Sequence, residues 1–139
     1  MRVEESLQRF GLTPDDDALP QIRALLAQEA DAERRGSGRE EDLALLCCVQ
    51  LFSRGLLEDV LRIWDAKQSG MDLGCYLDVQ FLCGAGLEET KNFLASQPES
   101  AATDALKYLE SCEEAGNFAN FSPQAHVETY RHYFGLESK

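Results

Sequence analysis

A chain of 139 residues that is 44 % hydrophobic suits one domain with one core. With 25 Asp and Glu against 13 Lys and Arg the net charge is −12 and no basic stripe interrupts it, so nucleic acid and anionic membrane surfaces are disfavoured as partners. No window approaches the roughly eighteen uncharged apolar residues of a membrane helix, and the start MRVEESLQRFGL lacks the basic-then-apolar order of a leader, so a cytoplasmic protein is expected.

Glycines and prolines punctuate apolar segments of helical length, and strand signals are scarce, which predicts an all-α fold. A short first helix is placed over Val3 to Phe10 and a second over Pro20 to Arg34. Between the second and third helices, ERRGSGREE (Glu33 to Glu41) mixes glycine, serine and charge and reads as a flexible joint, too short to divide the chain. The third and fourth helices are expected over Glu40 to Arg54 and Leu57 to Ser69, the fifth and sixth over Asp72 to Cys83 and Leu87 to Gln97. A seventh, Glu99 to Ala115, and an eighth, Pro123 to Phe134, complete a count of seven to eight, depending on the short first one. The expected organisation is a single compact helical domain over 1–139, with N-terminal helices in 1–38 and helical hairpins in 40–135.

The hairpins look repeated. Sliding the chain by thirty residues lays DLALLCCVQLFSRGLLE (Asp42 to Glu58) over DLGCYLDVQFLCGAGLE (Asp72 to Glu88), matching Asp42 with Asp72, Val49 with Val79, Gln50 with Gln80 and Leu57 with Leu87. The first helix of each unit is apolar nearly all round and belongs at the centre, whereas LEDVLRIWDAKQ puts Leu57, Val60, Leu61 and Trp64 on one stripe and Glu58, Asp59, Arg62 and Asp65 on the other. Stacked antiparallel helical hairpins of α-solenoid type give this distribution. The expected core is Leu43, Leu46, Val49, Phe52, Leu57, Val60, Trp64, Leu73, Leu77, Phe81, Leu94 and Leu106.

GLLEDVLRIW (Gly55 to Trp64) and GLEETKNFL (Gly86 to Leu94), with their Gly-x-x-Glu spacing, and the Gly-x-Asp of SGMD (Ser69 to Asp72) resemble elements of ankyrin repeats. No Thr-Pro-Leu-His element opens either unit, and a period near thirty leaves no room for the protruding ankyrin hairpin. The stretch from Asp42 to Gly135, with WDAKQS, LCGAGLEETK and YRHYFG, is also similar to small bacterial helical-repeat proteins of uncharacterised activity. That resemblance implies a bacterial origin and no mechanism.

Catalytic constellations are thin. His126 and His132 lie six residues apart on the last helix, about 120° round its axis, and cannot share a metal unaided. Glu128, one turn before His132, reads as its surface neighbour. The five cysteines are odd in number and form no CxxC, so they read as reduced small hydrophobes. Cys83 sits at a helix C-terminus, which disfavours a thiolate, and CGAG lacks the Lys and Ser or Thr of a phosphate loop. No catalytic residue, metal or cofactor is assigned.

Asp78 falls in the middle of the expected fifth helix, where an unpaired buried carboxylate is costly, so it is expected to be paired, hydrogen-bonded or exposed in a groove, with Lys67 the proposed partner. The leading function is a non-catalytic protein-protein interaction module that binds a basic protein through Glu58, Asp65, Lys67, Asp72, Tyr76 and Asp78, as a monomer or weak homodimer. Its specific form is an immunity-type inhibitor of a toxin. The alternative is a small enzyme or ligand carrier using Asp78, Tyr76, Cys83 or His132 in a cavity between helices. Circular dichroism should give a helical spectrum without a strand component, and the denatured protein should titrate as five free thiols with no bound zinc; strand content or stoichiometric metal would contradict these expectations.

Overall fold

Residues 1–136 are described in the computed structural model, and residues 137–139, which the sequence reading includes in the single domain, lie outside the described residues. The described residues form eight α-helices and no strand: α1 (Val3–Phe10), α2 (Leu19–Arg35), α3 (Leu43–Arg54), α4 (Val60–Lys67), α5 (Met71–Tyr76), α6 (Leu87–Ser96), α7 (Ser100–Glu114) and α8 (Pro123–Tyr133). Short 3-10 turns cover Asp16–Ala18, Leu57–Asp59 and Val79–Cys83.

Helix α3 is the axis of the molecule. Every residue from Leu43 to Phe52 is buried, as its unbroken apolar sequence demands. It packs chiefly on α2, which offers Leu19, Ile22, Leu26 and Ala30 at helical spacing, and then on α8 and the Val79–Cys83 turn. Each fully buried leucine or isoleucine here stabilises the fold by about 1.5–3 kcal/mol.

Two polar contacts fix how the neighbours sit. The buried Gln50 Nε2 donates to Ser6 Oγ at 3.1 Å and to the Gly11 carbonyl at 2.8 Å, tying α1 and its terminal turn to α3. Arg23 of α2 meets the buried Asp59 in a bidentate pair, Nε to Oδ1 at 2.7 Å and Nη2 to Oδ2 at 3.0 Å, and Arg62 adds a third bond at 3.0 Å. Asp59 stands at the start of α4, so the pair locks α2 to α4.

The structure corrects the sequence reading at several points. The expected helix Asp72 to Cys83 is α5 followed by an extended Leu77–Asp78 step and a 3-10 turn, with ψ of 106° at Leu77 and 144° at Asp78. The fourth helix opens with the 3-10 turn Leu57–Asp59, and Leu57 and Leu106 are only partly buried while the other ten expected core residues are buried. The segment 33–41 is tied back onto α2: Arg39 pairs with Glu33 at 2.9 Å and the Glu40 amide donates to Glu29 at 2.9 Å.

The glycine breaks after α3 and after the Val79–Cys83 turn meet. A Cβ on Gly84 would lie 2.5 Å from the Phe52 carbonyl oxygen, and one on Gly55, at a φ of +64°, would lie 2.9 Å from the Gly84 carbonyl oxygen. Only bare backbone fits there.

Asp59→Ala should lower the unfolding free energy by about 1.5–3 kcal/mol, because it removes the buried carboxylate that Arg23, 20 % exposed, meets with two charged hydrogen bonds and leaves that guanidinium only the exposed Glu58. Arg62→Ala should cost less than about 1 kcal/mol, since that side chain is 47 % exposed. Denaturant unfolding of the two variants measures both, and equal losses would contradict the assignment.

Candidate functional site

Helix α5 has six residues, too few to persist alone. Two side chains from α2 and α4 hold its ends. At its start Glu33 accepts the Leu73 amide at 3.0 Å on one oxygen and Arg39 Nε at 2.9 Å on the other. The Leu73 bond above all, with Arg39, keeps the Glu33 carboxyl below its usual range against the opposing effect of burial. Gly70 makes room, because a Cβ there would lie 2.5 Å from Glu33 Cγ.

At the end of α5 the buried Lys67 ammonium donates to the carbonyls of Gly74 and Leu77, both at 2.6 Å, and stands 5.7 Å from the centre of the Tyr108 ring. Burial pulls its pKa down while the charge of Asp78 pulls it up. These two bonds satisfy carbonyls left without helical partners where α5 ends at Tyr76. The expected Lys67–Asp78 pair is therefore corrected: Lys67 bonds carbonyls, and Asp78, 38 % exposed at the break rather than inside a helix, accepts the Tyr130 hydroxyl at 2.6 Å.

So held, α5 presents an uncovered face. Met71 is 85 % exposed and Tyr76 58 %, with Asp72 between them in sequence. Asp72, Leu73 and Tyr76 line a hollow of about 210 Å³ with Arg39, Glu41 and Asp42. Glu41 and Asp42 also border a second hollow of about 460 Å³ with Glu4, Glu40, Tyr133 and Phe134. Asp42, at a φ of +61°, accepts the Tyr133 hydroxyl at 2.9 Å, and that bond raises the phenol pKa. Tyr133 is itself 53 % exposed. Carboxylates outnumber cations around the two hollows, and Arg39 is already committed to Glu33.

Glu58 and Asp65 lie elsewhere. They border a groove of about 650 Å³ between α2, α4 and α6, floored by Leu26, Ala27, Leu61 and Phe93. Each is matched by a guanidinium: Glu58 by Arg23 at 2.9 Å, and Asp65 by Arg34. Of the six residues expected to form one surface, Asp72 and Tyr76 share a hollow, Glu58 and Asp65 share another, and Lys67 and Asp78 act inside the fold.

The sequence reading missed Glu33, Tyr133 and, above all, His126. The His126 ring sits among Phe52, Phe81, Phe121 and Tyr130, with centroids 5.2, 5.1, 6.0 and 5.3 Å away. Its Nε2 is occluded and makes no hydrogen bond, and Asp78 Oδ2 lies 3.6 Å off. Burial lowers the His126 pKa and Asp78 partly opposes this. The signal was the i, i+4 spacing of His126 and Tyr130 downstream of two phenylalanines.

Cys83 is fully buried, its thiol pushed up to about 12 by that burial, and far from a nucleophile in character. Tyr76 is exposed, and Glu128 pairs with Arg131 at 3.1 Å. Among the described residues no three His, Cys, Asp or Glu side chains are placed to hold a metal ion, and no helix is long and apolar enough to cross a membrane.

Lys67→Met keeps the apolar stem but leaves two carbonyls without a donor, so it should cost about 1–3 kcal/mol and raise amide exchange at 74–77 before the rest of the chain. The Glu33 contribution is present above its unfolded value of 4.5 and is lost as pH falls through its lower folded value. Glu33→Gln should therefore flatten part of the acid limb of a stability–pH curve, and an unchanged limb would contradict the bracket. Comparison of the chain with family models, with curated proteins and with solved structures finds no match, so its function has to be reasoned from its own side chains.

Proposed function

We propose that the protein is a non-catalytic interaction module that receives a basic segment of a partner protein on the α5 face. One observation carries this reading: Tyr76 and Tyr133 are each more than half exposed, Tyr76 beside the carboxylates of Glu41, Asp42 and Asp72 and Tyr133 beside those of Glu41 and Asp42. Large apolar and aromatic side chains gain most by being covered, and tyrosine is enriched among the residues that dominate binding energy. Acids flanking tyrosine rings suit arginine, whose guanidinium pairs with a carboxylate and stacks on a ring. The net charge of −12 would steer such a partner in from a distance.

The groove bordered by Glu58 and Asp65 fits a basic partner less well, because those two acids are already paired with Arg23 and Arg34. An immunity-type inhibitor of a basic toxin is the specific form of the reading, supported by charge complementarity, with the protein acting as a monomer or weak homodimer. The thirty-residue correspondence, and the meeting of Gly55 with Gly84, support a hairpin-repeat origin for the scaffold.

An arginine-rich peptide is the first probe. Its association rate should fall as salt is raised, because the Debye length shortens from about 30 Å at 0.01 M to about 8 Å at physiological strength. Tyr76→Ala should weaken binding about tenfold, the effect of an interface anchor worth roughly 1.4 kcal/mol, and Asp72→Lys should slow association more than Asp65→Lys. Binding that ignores Tyr76→Ala, or charge reversals of equal effect at the two hollows, would overturn the reading.

A further inference from the structure

We propose that α8 is a latch that closes only around a neutral imidazole at His126, and that its release removes Tyr133 from the α5 face. The second half rests on the proposed function of that face; the first half stands on the fold alone.

Helix α8 is the most lightly anchored long helix. None of its residues is fully buried, and it meets the rest of the molecule mainly along α3. Beside the packing of Val127, its grip includes the His126 ring among aromatic neighbours, the Tyr130 hydroxyl on Asp78 at 2.6 Å, and the Tyr133 hydroxyl on Asp42 at 2.9 Å. Elements with few buried contacts open at the lowest free energy, so α8 can leave while α2 and α3 stay packed.

The surroundings of His126 decide which protonation state the closed latch accepts. From α3 it meets the Phe52 ring, and the nearby Cys48 thiol is held neutral by complete burial. The Val79–Cys83 turn contributes Phe81, and the segment before α8 contributes Phe121. On α8 itself the Tyr130 phenol is held neutral by burial and by Asp78. The single charge facing the ring is Asp78, and that carboxylate already accepts the Tyr130 hydroxyl and acts on the Lys67 ammonium. At 3.6 Å from His126 Nε2 it is beyond hydrogen-bonding distance. An imidazolium in the closed state would hold an occluded Nε2–H with no hydrogen-bond acceptor, its charge offset only by Asp78 at 3.6 Å, whereas an opened α8 would give that cation water.

The direction follows by linkage. Burial places the folded His126 value below its ordinary 6.5, so docking is at full strength above about pH 6.5 and weakens as pH falls below it. The opening equilibrium of α8 rises by up to about tenfold per pH unit until the folded value is reached. Opening carries Tyr133 away from Asp42 and breaks up the hollow that Tyr133 and Phe134 share with Glu41. A partner held there would be released in mild acid.

Two measurements on the full chain test this without a partner. The His126 ring proton, assigned by its loss in His126→Phe, should titrate below 6.5 by NMR, and Asp78→Asn should move it lower by removing the facing charge. Amide exchange over 124–133, corrected for intrinsic rates and referred to α3, should rise from pH 7.5 to pH 5.5 in the natural chain, by up to about tenfold, and stay level in His126→Phe, whose ring suits the aromatic surroundings. A His126 value at or above 6.5 overturns the proposal, as does the same rise in His126→Phe. Should that variant fail to fold, the titration of the natural chain decides. The arginine-rich peptide should bind at pH 7.5 and be released at pH 5.5; no binding at pH 7.5 would count against the face and leave the latch standing on exchange and titration.

Discussion

A helix that is apolar round its whole circumference has to be covered on every side, and α3 imposes that requirement on the rest of the chain. Covering it takes α2 along one flank, α8 along another, and the Val79–Cys83 turn beside them, with α1 drawn in through Gln50. Burial alone does not say which residue of α2 faces which residue of α3, because hydrophobic attraction has no direction. The polar contacts supply the direction. Gln50 reaches α1 and Gly11, Arg23 reaches Asp59, and each would leave a buried group unbonded if its helix slid by one turn.

Much of this was legible in the sequence, since α2, α3, α6, α7 and α8 follow from periodicity and glycine or proline punctuation to within a few residues. The break in Asp72 to Cys83 was not. In LGCYLDVQFLC only Gly74 weakens a helix locally; the chain turns extended at Leu77, where an ammonium on α4 binds the carbonyls of Gly74 and Leu77, a contact invisible to any pattern with a period of 3.6 residues. The misreading of Asp78 followed from the same cause, because a residue assigned to a helix interior was sought a cation rather than a hydroxyl 52 positions away.

The site was half legible for a related reason. Asp72 and Tyr76 stand one turn apart on α5, so their proximity is a property of the helix itself. Tyr133 joins them only because α8 folds back over the start of α3, bringing together residues 91 positions apart. His126 was hidden by its residue type: its spacing from His132 invites only the question of a shared metal, and it is the convergence of Phe52, Phe81 and Phe121 from three separate segments that makes it a largely covered ring.

The meeting of Gly55 with Gly84 inverts the usual map of where a protein tolerates change. In the apolar interior a leucine can be exchanged for methionine at a cost usually below about 1.5 kcal/mol, because side chains share space and can redistribute it. Between these two turns there are no side chains to redistribute, and the atoms a methyl group would strike are the carbonyl oxygens of Phe52 and Gly84, fixed by the backbone. Sequence drift in this molecule is thus most narrowly confined at two turns, both partly open to solvent, where surface position would ordinarily signal freedom to vary.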